Sequence, residues 1–246
     1  MSKSRIKFLN TEVDNLTMDE AIENINGLIL KRAPSYVVTP NVDHIVKLEK
    51  DEELRKVYAD ADLILTDGMP LIWISKLKSN PIKEKVSGSD LFPRVCKLAA
   101  DKGYSVFLLG AAEGVAKKAA DNLKIEYPKL NISGTYSPSY GFENNIDEIN
   151  YIISMINKAK PDILAVGLGA PKQEKFIYKY KNELNVPVSL AIGASIDFEA
   201  GNVDRAPKWM QNHGLEWLYR LCKEPKRMFK RYLIDDLKIF NIALKY

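Results

Sequence analysis

The chain has 246 residues, 46% hydrophobic and 28% charged, which is ordinary for a globular protein and long enough for one large α/β domain with a full core. No N-terminal apolar segment leads to a small-residue cleavage site, and no apolar run reaches the roughly 18–20 residues of a spanning helix, so a secreted protein and a single-span anchor are not expected. The net charge of +4 is uneven: residues 205–246 hold ten Lys/Arg against four acids, a basic tail on a near-neutral body that suits a phosphate-rich partner.

In chain order, the first element is a helix opened by the capping box Thr17-Met18-Asp19-Glu20 and running to about Lys31. From about Ser35, short β-branched runs alternate with amphipathic helical patterns. Strands are expected at 36–39, 63–66, 104–110, 130–136, 162–169 and 188–193, and helices at about 42–58, 70–78, 90–102, 113–126, 146–159 and 172–184. Several strands are near-continuous apolar runs, as parallel strands covered on both faces are. The reading is a Rossmann-like α/β fold with a mostly parallel sheet. The strand rhythm stops after Ile192, and two helices near 206–221 and 225–244 follow, with Pro225 in a first turn. The expected organisation is a catalytic α/β domain over residues 1–195 and a basic, all-helical appendage over 196–246. Cys96 and Cys222 are far apart, without CxxC spacing, and read as buried structural thiols.

Ligands of doubly wound sheets bind beyond the carboxyl ends of the strands. Four such ends carry polar or glycine-rich signals: Thr39-Pro40-Asn41, Thr66-Asp67-Gly68, Gly110-Ala-Ala-Glu-Gly114, and Gly167-Leu-Gly169-Ala-Pro171-Lys172-Gln173-Glu174. Asp67 directly follows an apolar strand, and Gly68 permits an unusual turn after it. Asp67 is therefore the candidate general base, with an N-cap for the next helix as the alternative. The turns at Gly110 and Gly169 could offer backbone N–H groups to a phosphate, although neither matches GxGxxG and close strand–helix packing explains both as well. Lys172 and Gln173 add polar reach. Asp60-Ala-Asp62 has the form of a metal-binding DxD but precedes its strand, at the wrong end of the sheet. His44 and His213 are too few and too far apart for a metal site and read as packing or surface residues.

In the tail, Phe229, Leu233, Leu237, Phe240 and Leu244 form an apolar stripe at helical spacing. Lys226 with Lys230, and Arg227 with Arg231, are basic i,i+4 pairs at its start, and Arg220 lies just before them. Positive charge at a helix N-terminus opposes the helix dipole, so these groups are expected to face something anionic. The stripe either docks on the body or lies in a membrane interface.

Together, TPN (39–41), DG (67–68), VSGSDL (86–91), LLGAA (108–112), GAPKQE (169–174), GASIDFEAGNVDRAP (193–207) and GLEWLYRLCKEPKR (214–227) resemble the WecG/TagA/CpsF family of glycosyltransferases. The resemblance implies an inverting, metal-independent transfer, without a cofactor, from a UDP-sugar to an undecaprenyl-diphosphate-linked sugar at the inner face of the cell membrane. It gives N-acetylmannosamine as the default donor sugar, with glucose or N-acetylmannosaminuronic acid as alternatives. By position, it implies that Asp67 is the base, that Thr39, Asn41 and Gln173 are pocket residues, and that Arg220 and Arg227 clamp the nucleotide diphosphate. Lys85 stands where many members carry arginine. Lys230 replaces a third appendage arginine, with Arg231 beside it as a substitute.

The expected partners are the UDP-sugar, the lipid-diphosphate-linked acceptor and an anionic membrane surface, with homo-oligomerisation left open. Nucleic acid is not expected, because the tail interleaves few aromatics with its charges. A non-catalytic nucleotide-binding Rossmann-like protein is the reading of another class.

Overall fold

The computed structural model describes residues 5–246, except for the side chains of Asn212 and Arg227. It opens with a hairpin, β1 (Arg5–Phe8) and β2 (Thr11–Asp14), followed by α1 (Met18–Lys31). Then come β3 (Ser35–Val38), α2 (Val42–Leu48), α3 (Glu52–Asp60), β4 (Leu63–Ile64), α4 (Met69–Leu77) and α5 (Gly88–Lys102). β5 (Ser105–Gly110), α6 (Val115–Glu126), β6 (Asn131–Tyr136), α7 (Ile146–Ala159), β7 (Ile163–Gly167), α8 (Lys172–Leu184) and β8 (Val188–Ala191) complete the sheet. The chain ends in α9 (Ser195–Glu199), α10 (Lys208–Asn212), α11 (Glu216–Lys223), α12 (Pro225–Lys230), a π-helical turn (Arg231–Asp235) and α13 (Lys238–Lys245).

Six parallel strands form one sheet in the order β4-β3-β8-β7-β5-β6. The register places Tyr36 beside Ser189, Leu164 beside Ser189, and Gly110 beside Gly167. Alternate residues of each strand point to opposite faces and are buried on both. Val38, Leu109 and Val166 meet Ile45, Ile152 and Ile177 on one side, whereas Val37, Leu108 and Ala165 meet Ile25, Phe92 and Ala119 on the other. The capping box at Thr17 forms in both directions.

Several expectations change. The helix expected near 206–221 is two, α10 and α11, separated by Gly214 at φ +71°, and of the two cysteines Cys96 is buried but Cys222 is exposed. The single helix over 42–58 is two, because Asp51 accepts the Leu54 N–H at 2.9 Å and caps a new start. The N-terminal hairpin carries no strong strand signal in its sequence. It is held by Arg5, which pairs with Asp14 at 2.9 Å, and Asp14 in turn accepts the backbone N–H of Ile64 at 2.8 Å. That contact covers the short edge strand β4. The long tail helix over 225–244 is broken by the π-helical turn. Its apolar stripe does not dock: Phe229, Leu237, Phe240 and Leu244 are exposed, Leu244 by 88%, while Met228, Ile239 and Ile242 are buried instead.

Candidate active site

The carboxyl ends of β3 and β4 deliver the first two side chains of the site. Asn41 is the N-cap of α2, its Oδ1 accepting the His44 N–H at 3.4 Å. Asp67 lies three residues beyond β4 and is fixed by its own N–H, which donates to the Pro40 carbonyl at 2.8 Å. The cap of α4 is Gly68 at φ +106°, with no side chain in the capping role. Asp67 is therefore not a helix cap. Among the described residues, nothing hydrogen-bonds its carboxylate, which opens into a cavity of about 530 Å³.

Asn41, Asp67 and Lys85 line this cavity on the body side, and Glu216, Arg220, Arg231, Tyr232 and Asp236 line it from the tail. Trp73 and Leu77 of α4 and Leu237 and Phe240 near the start of α13 also line it, and all four are exposed, which makes its outer part apolar. The cavity is thus ionic at its floor and hydrocarbon at its mouth.

Burial pushes the Asp67 carboxyl up to about 6; Glu216 and Asp90 add to the rise, and Lys85 and Arg220 oppose it. The side chain keeps contact with the cavity, so it is desolvated by the surrounding walls without being sealed from a substrate. Such a carboxylate is ionised at neutral pH and is more basic than an exposed one, which suits proton abstraction. Asp90 behaves in the opposite way. Burial would raise it, but the Ser87 hydroxyl (2.6 Å), Lys85 (3.0 Å) and Arg205 (2.8 Å) hold it at about 2. Asp90 is therefore a fixed negative anchor for Lys85.

The tail cations are held loosely. Arg220 lies 3.6 Å from Glu216 and 5.0 Å above the Phe198 ring. Arg231 lies 3.9 Å from Asp43 and 5.6 Å from the Tyr232 ring. Arg231 Nε and Asp236 Oδ1 are buried without a hydrogen-bond partner. Burial also raises the Asp236 carboxyl to about 6, against the pull of Arg231. The Arg227 side chain lies outside the described residues.

The remaining site candidates do not line the cavity. Thr39 is buried and donates to the Ala191 carbonyl at 3.4 Å, tying β3 to β8. Gln173 is buried, accepting the Gly193 N–H at 3.0 Å and donating to Glu174 at 2.8 Å. At Gly110, a β-carbon would stand 2.3 Å from the Gly167 carbonyl oxygen, so close strand packing accounts for this glycine. Gly169 turns at φ +78° in open space, and Lys172 pairs with Glu143 at 2.8 Å. Asp62 accepts the Tyr36 N–H at 3.0 Å and Asp60 pairs with Lys181, at the end of the sheet opposite Asp67.

Two residues that sequence reasoning passed over sit just behind the cavity. His44 reads from sequence as packing, yet its ring joins Asn41 to Glu174. The sequence signal for this was faint: a polar residue three places after a cap, and a carboxylate buried at the start of a helix.

Comparison with known proteins follows the same outline. The chain is 36% identical over 209 residues to the N-acetylglucosaminyldiphosphoundecaprenol N-acetyl-beta-D-mannosaminyltransferase of Bacillus subtilis (strain 168), covering 83% of this chain and 79% of that protein. It is 33% identical to the enzyme of the same name from Bacillus spizizenii, over 86% of this chain and 79% of the relative. The Staphylococcus aureus (strain MW2) enzyme is 29% identical, over 92% of this chain and 87% of its own length. A sequence model described as the glycosyl transferase WecG/TagA/CpsF family matches residues 6–246. The chain therefore belongs to the WecG/TagA/CpsF family and is a glycosyltransferase.

Proposed function

We propose that this chain transfers N-acetylmannosamine from a UDP-sugar to N-acetylglucosaminyl-diphosphoundecaprenol, with inversion and without a metal. The observation that carries the reading is the cavity itself, with a raised carboxylate and cations at the floor and an apolar mouth. An acceptor with a sugar-diphosphate head and a polyprenyl tail has the same polarity profile. The curated relatives are named for this lipid-linked acceptor and this transferred sugar.

Asp67 takes the proton of the acceptor hydroxyl as that oxygen attacks the anomeric carbon. The bond from that carbon to the UDP oxygen breaks, and UDP leaves on the opposite face of the sugar. One carboxylate base acting in a single displacement gives inversion. Negative charge grows on the leaving diphosphate, and Arg220 and Arg231, which line the cavity, neutralise it, with Arg227 added by the family resemblance alone. Asn41 and Lys85 orient the sugars on the body side, and Thr39 and Gln173 hold the loops behind them. In this reading, residues 1–195 form the catalytic body. Residues 196–246 close over it and carry the basic and apolar face toward an anionic membrane surface, adding about 1 kcal/mol of attraction per basic residue near the lipid.

The test is a panel of UDP-sugars, including UDP-N-acetylmannosamine, UDP-glucose and UDP-N-acetylmannosaminuronic acid, with a short-chain diphosphate-linked N-acetylglucosamine acceptor. The product is read by mass spectrometry and its anomeric configuration by NMR. Turnover of UDP-N-acetylmannosamine alone, unchanged by EDTA, is expected. UDP binding with no transfer from any donor would favour the non-catalytic nucleotide-binding protein.

A further inference from the structure

Asn41, the cap of α2, and Gln173, in the first turn of α8, are joined through a buried pair. His44 is 5% exposed and Glu174 1%. His44 Nδ1 lies 2.8 Å from Asn41 Oδ1, and His44 Nε2 lies 3.2 Å from Glu174 Oε1. The same Glu174 oxygen accepts from Gln173 Nε2 at 2.8 Å, and Gln173 Oε1 accepts the Gly193 N–H at 3.0 Å. A continuous chain of side chains therefore runs from the cavity wall, under α2 and α8, to the end of β8. None of it past Asn41 lines the cavity.

The hydrogen-bond inventory fixes which way the Asn41 amide points. Its Oδ1 already accepts the backbone N–H of His44, so this oxygen, and not the NH2 group, is turned inward. The ring nitrogen facing it, Nδ1, lies 2.8 Å from Oδ1 and also 3.3 Å from the Asn41 backbone N–H, so His44 backs the amide oxygen and closes the capping box from the same nitrogen. Glu174 meets the other ring nitrogen at 3.2 Å and fixes the ring's orientation in a buried site, where an unpaired polar group is costly. Asn41 Nδ2 has no partner among the described residues and is left for the cavity. Without the ring, the amide oxygen would be held inward by the His44 backbone N–H alone, at 3.4 Å, and the amide would be less firmly aimed.

We propose that His44 and Glu174 are positioning residues that lock the Asn41 amide with its NH2 group aimed at the bound substrate. The pair touches neither sugar nor diphosphate and acts only through Asn41. The inference rests on the transferase reading of the cavity.

Steady-state transfer by Asn41→Ala, His44→Phe and the double variant separates the possibilities. His44→Phe keeps the ring's bulk near Tyr58 and the backbone N–H that Asn41 caps, and removes the ring's polar contacts to Asn41 and Glu174. Asn41→Ala is expected to lower kcat/KM about tenfold, the scale of one lost hydrogen bond to substrate, with His44→Phe a little less severe. Both should change the same parameter, kcat or the KM of one substrate. In the double variant, His44→Phe should add nothing to Asn41→Ala. Additive losses, or a wild-type rate in His44→Phe, would overturn the positioning role while leaving the transferase reading intact. Full activity in Asn41→Ala would remove Asn41 from the site, and this proposal with it. Glu174→Gln gives a second route that does not depend on His44→Phe folding. It should shift the same kinetic parameter at an unchanged melting temperature, and a fall in melting temperature with no kinetic change would count against the proposal.

Discussion

The two walls of the cavity are built on different principles. On the body side, Asn41 and Asp67 sit beyond strand ends and Lys85 in the loop before α5, and their backbone and supporting side chains are paired at ordinary distances: Asp67 N to Pro40 O at 2.8 Å, Lys85 to Asp90 at 3.0 Å, His44 to Asn41 at 2.8 Å. On the tail side, Arg220 and Arg231 reach their acidic partners only at 3.6 and 3.9 Å, Arg231 Nε and Asp236 Oδ1 are unpartnered, and much of the apolar surface is exposed. A group that moves a proton must be held to within a few tenths of an ångström. Groups that neutralise a leaving diphosphate gain by staying unsatisfied until the ligand arrives, because a cation already paired at short range has less to give. The comparison assigns proton chemistry to the rigid wall and charge neutralisation to the adaptable one.

The largest expected effect is on the rigid wall. Asp67→Asn should lower kcat by about 10²–10⁴ with UDP affinity nearly unchanged, since only the base is lost. The same change tests the cost of the site. A carboxyl raised in the folded state binds more protons there than in the unfolded chain. Its contribution is favourable at low pH and is lost as pH rises through the folded value of about 6. Asp67→Asn should therefore raise the melting temperature at pH 8 relative to wild type, and do so less at pH 5. A variant that is slow at every pH and also less stable at pH 8 would make Asp67 a structural residue.

On the adaptable wall, Arg220→Ala should lower kcat by about 10²-fold with a smaller change in acceptor KM, because its interaction strengthens as charge develops on the diphosphate. Arg220→Lys should recover only part of this, as lysine keeps the charge but loses the planar fork. Equal losses in binding and turnover would break the division of labour between the walls. Replacing Leu237 and Phe240 together with Asp should raise KM about tenfold for a long-chain polyprenyl acceptor. It should change KM little for a short-chain one, if the apolar mouth takes the hydrocarbon.

Much of the rigid wall was legible in the sequence, and much of the adaptable one was not. Parallel strands buried on both faces read as continuous apolar runs, and the six predicted ones fall where the sheet strands lie, with α7 and α8 correct to the residue. Asp67 stood out because it directly follows an apolar strand at the carboxyl end of the sheet, and its competing reading as an N-cap falls because Gly68 takes that position. The hairpin escaped because two four-residue strands with charged residues on one side are fixed by Arg5 and Asp14, a contact no local pattern encodes. His44 escaped because its role depends on Glu174, 130 positions away. In the tail, periodicity gave helix and an apolar stripe but left open which way the stripe faces; it is exposed, and Met228, Ile239 and Ile242 pack inward. Local spacing cannot distinguish an apolar stripe that packs from one left open, and the π-helical turn at Arg231–Asp235 resets the phase between α12 and α13.

The smallest effect is also the sharpest test of how the two walls meet. Transfer should rise with pH along a limb near 6 as Asp67 ionises, and that limb is tuned from both sides. Lys85, on the body, lowers the Asp67 value and Glu216, on the tail, raises it. Lys85→Met removes a cation and also releases the charge of Asp90, which itself pushes Asp67 upward, so both consequences move the limb to higher pH. Glu216→Gln removes an anion and frees Arg220, which pulls Asp67 downward, so both consequences move the limb to lower pH. Each displacement should be under about one pH unit, the scale of one neighbouring charge in a partly solvated site. The kcat/KM profile from pH 5 to 8 reads both, and 1 M salt should shrink the Glu216 displacement more, because the tail wall is more open to ions. Opposite shifts would show that the tail is closed over Asp67 when the proton moves. A limb that responds to Lys85 but ignores Glu216 would mean that the tail binds the diphosphate from a position too far away to feel the base.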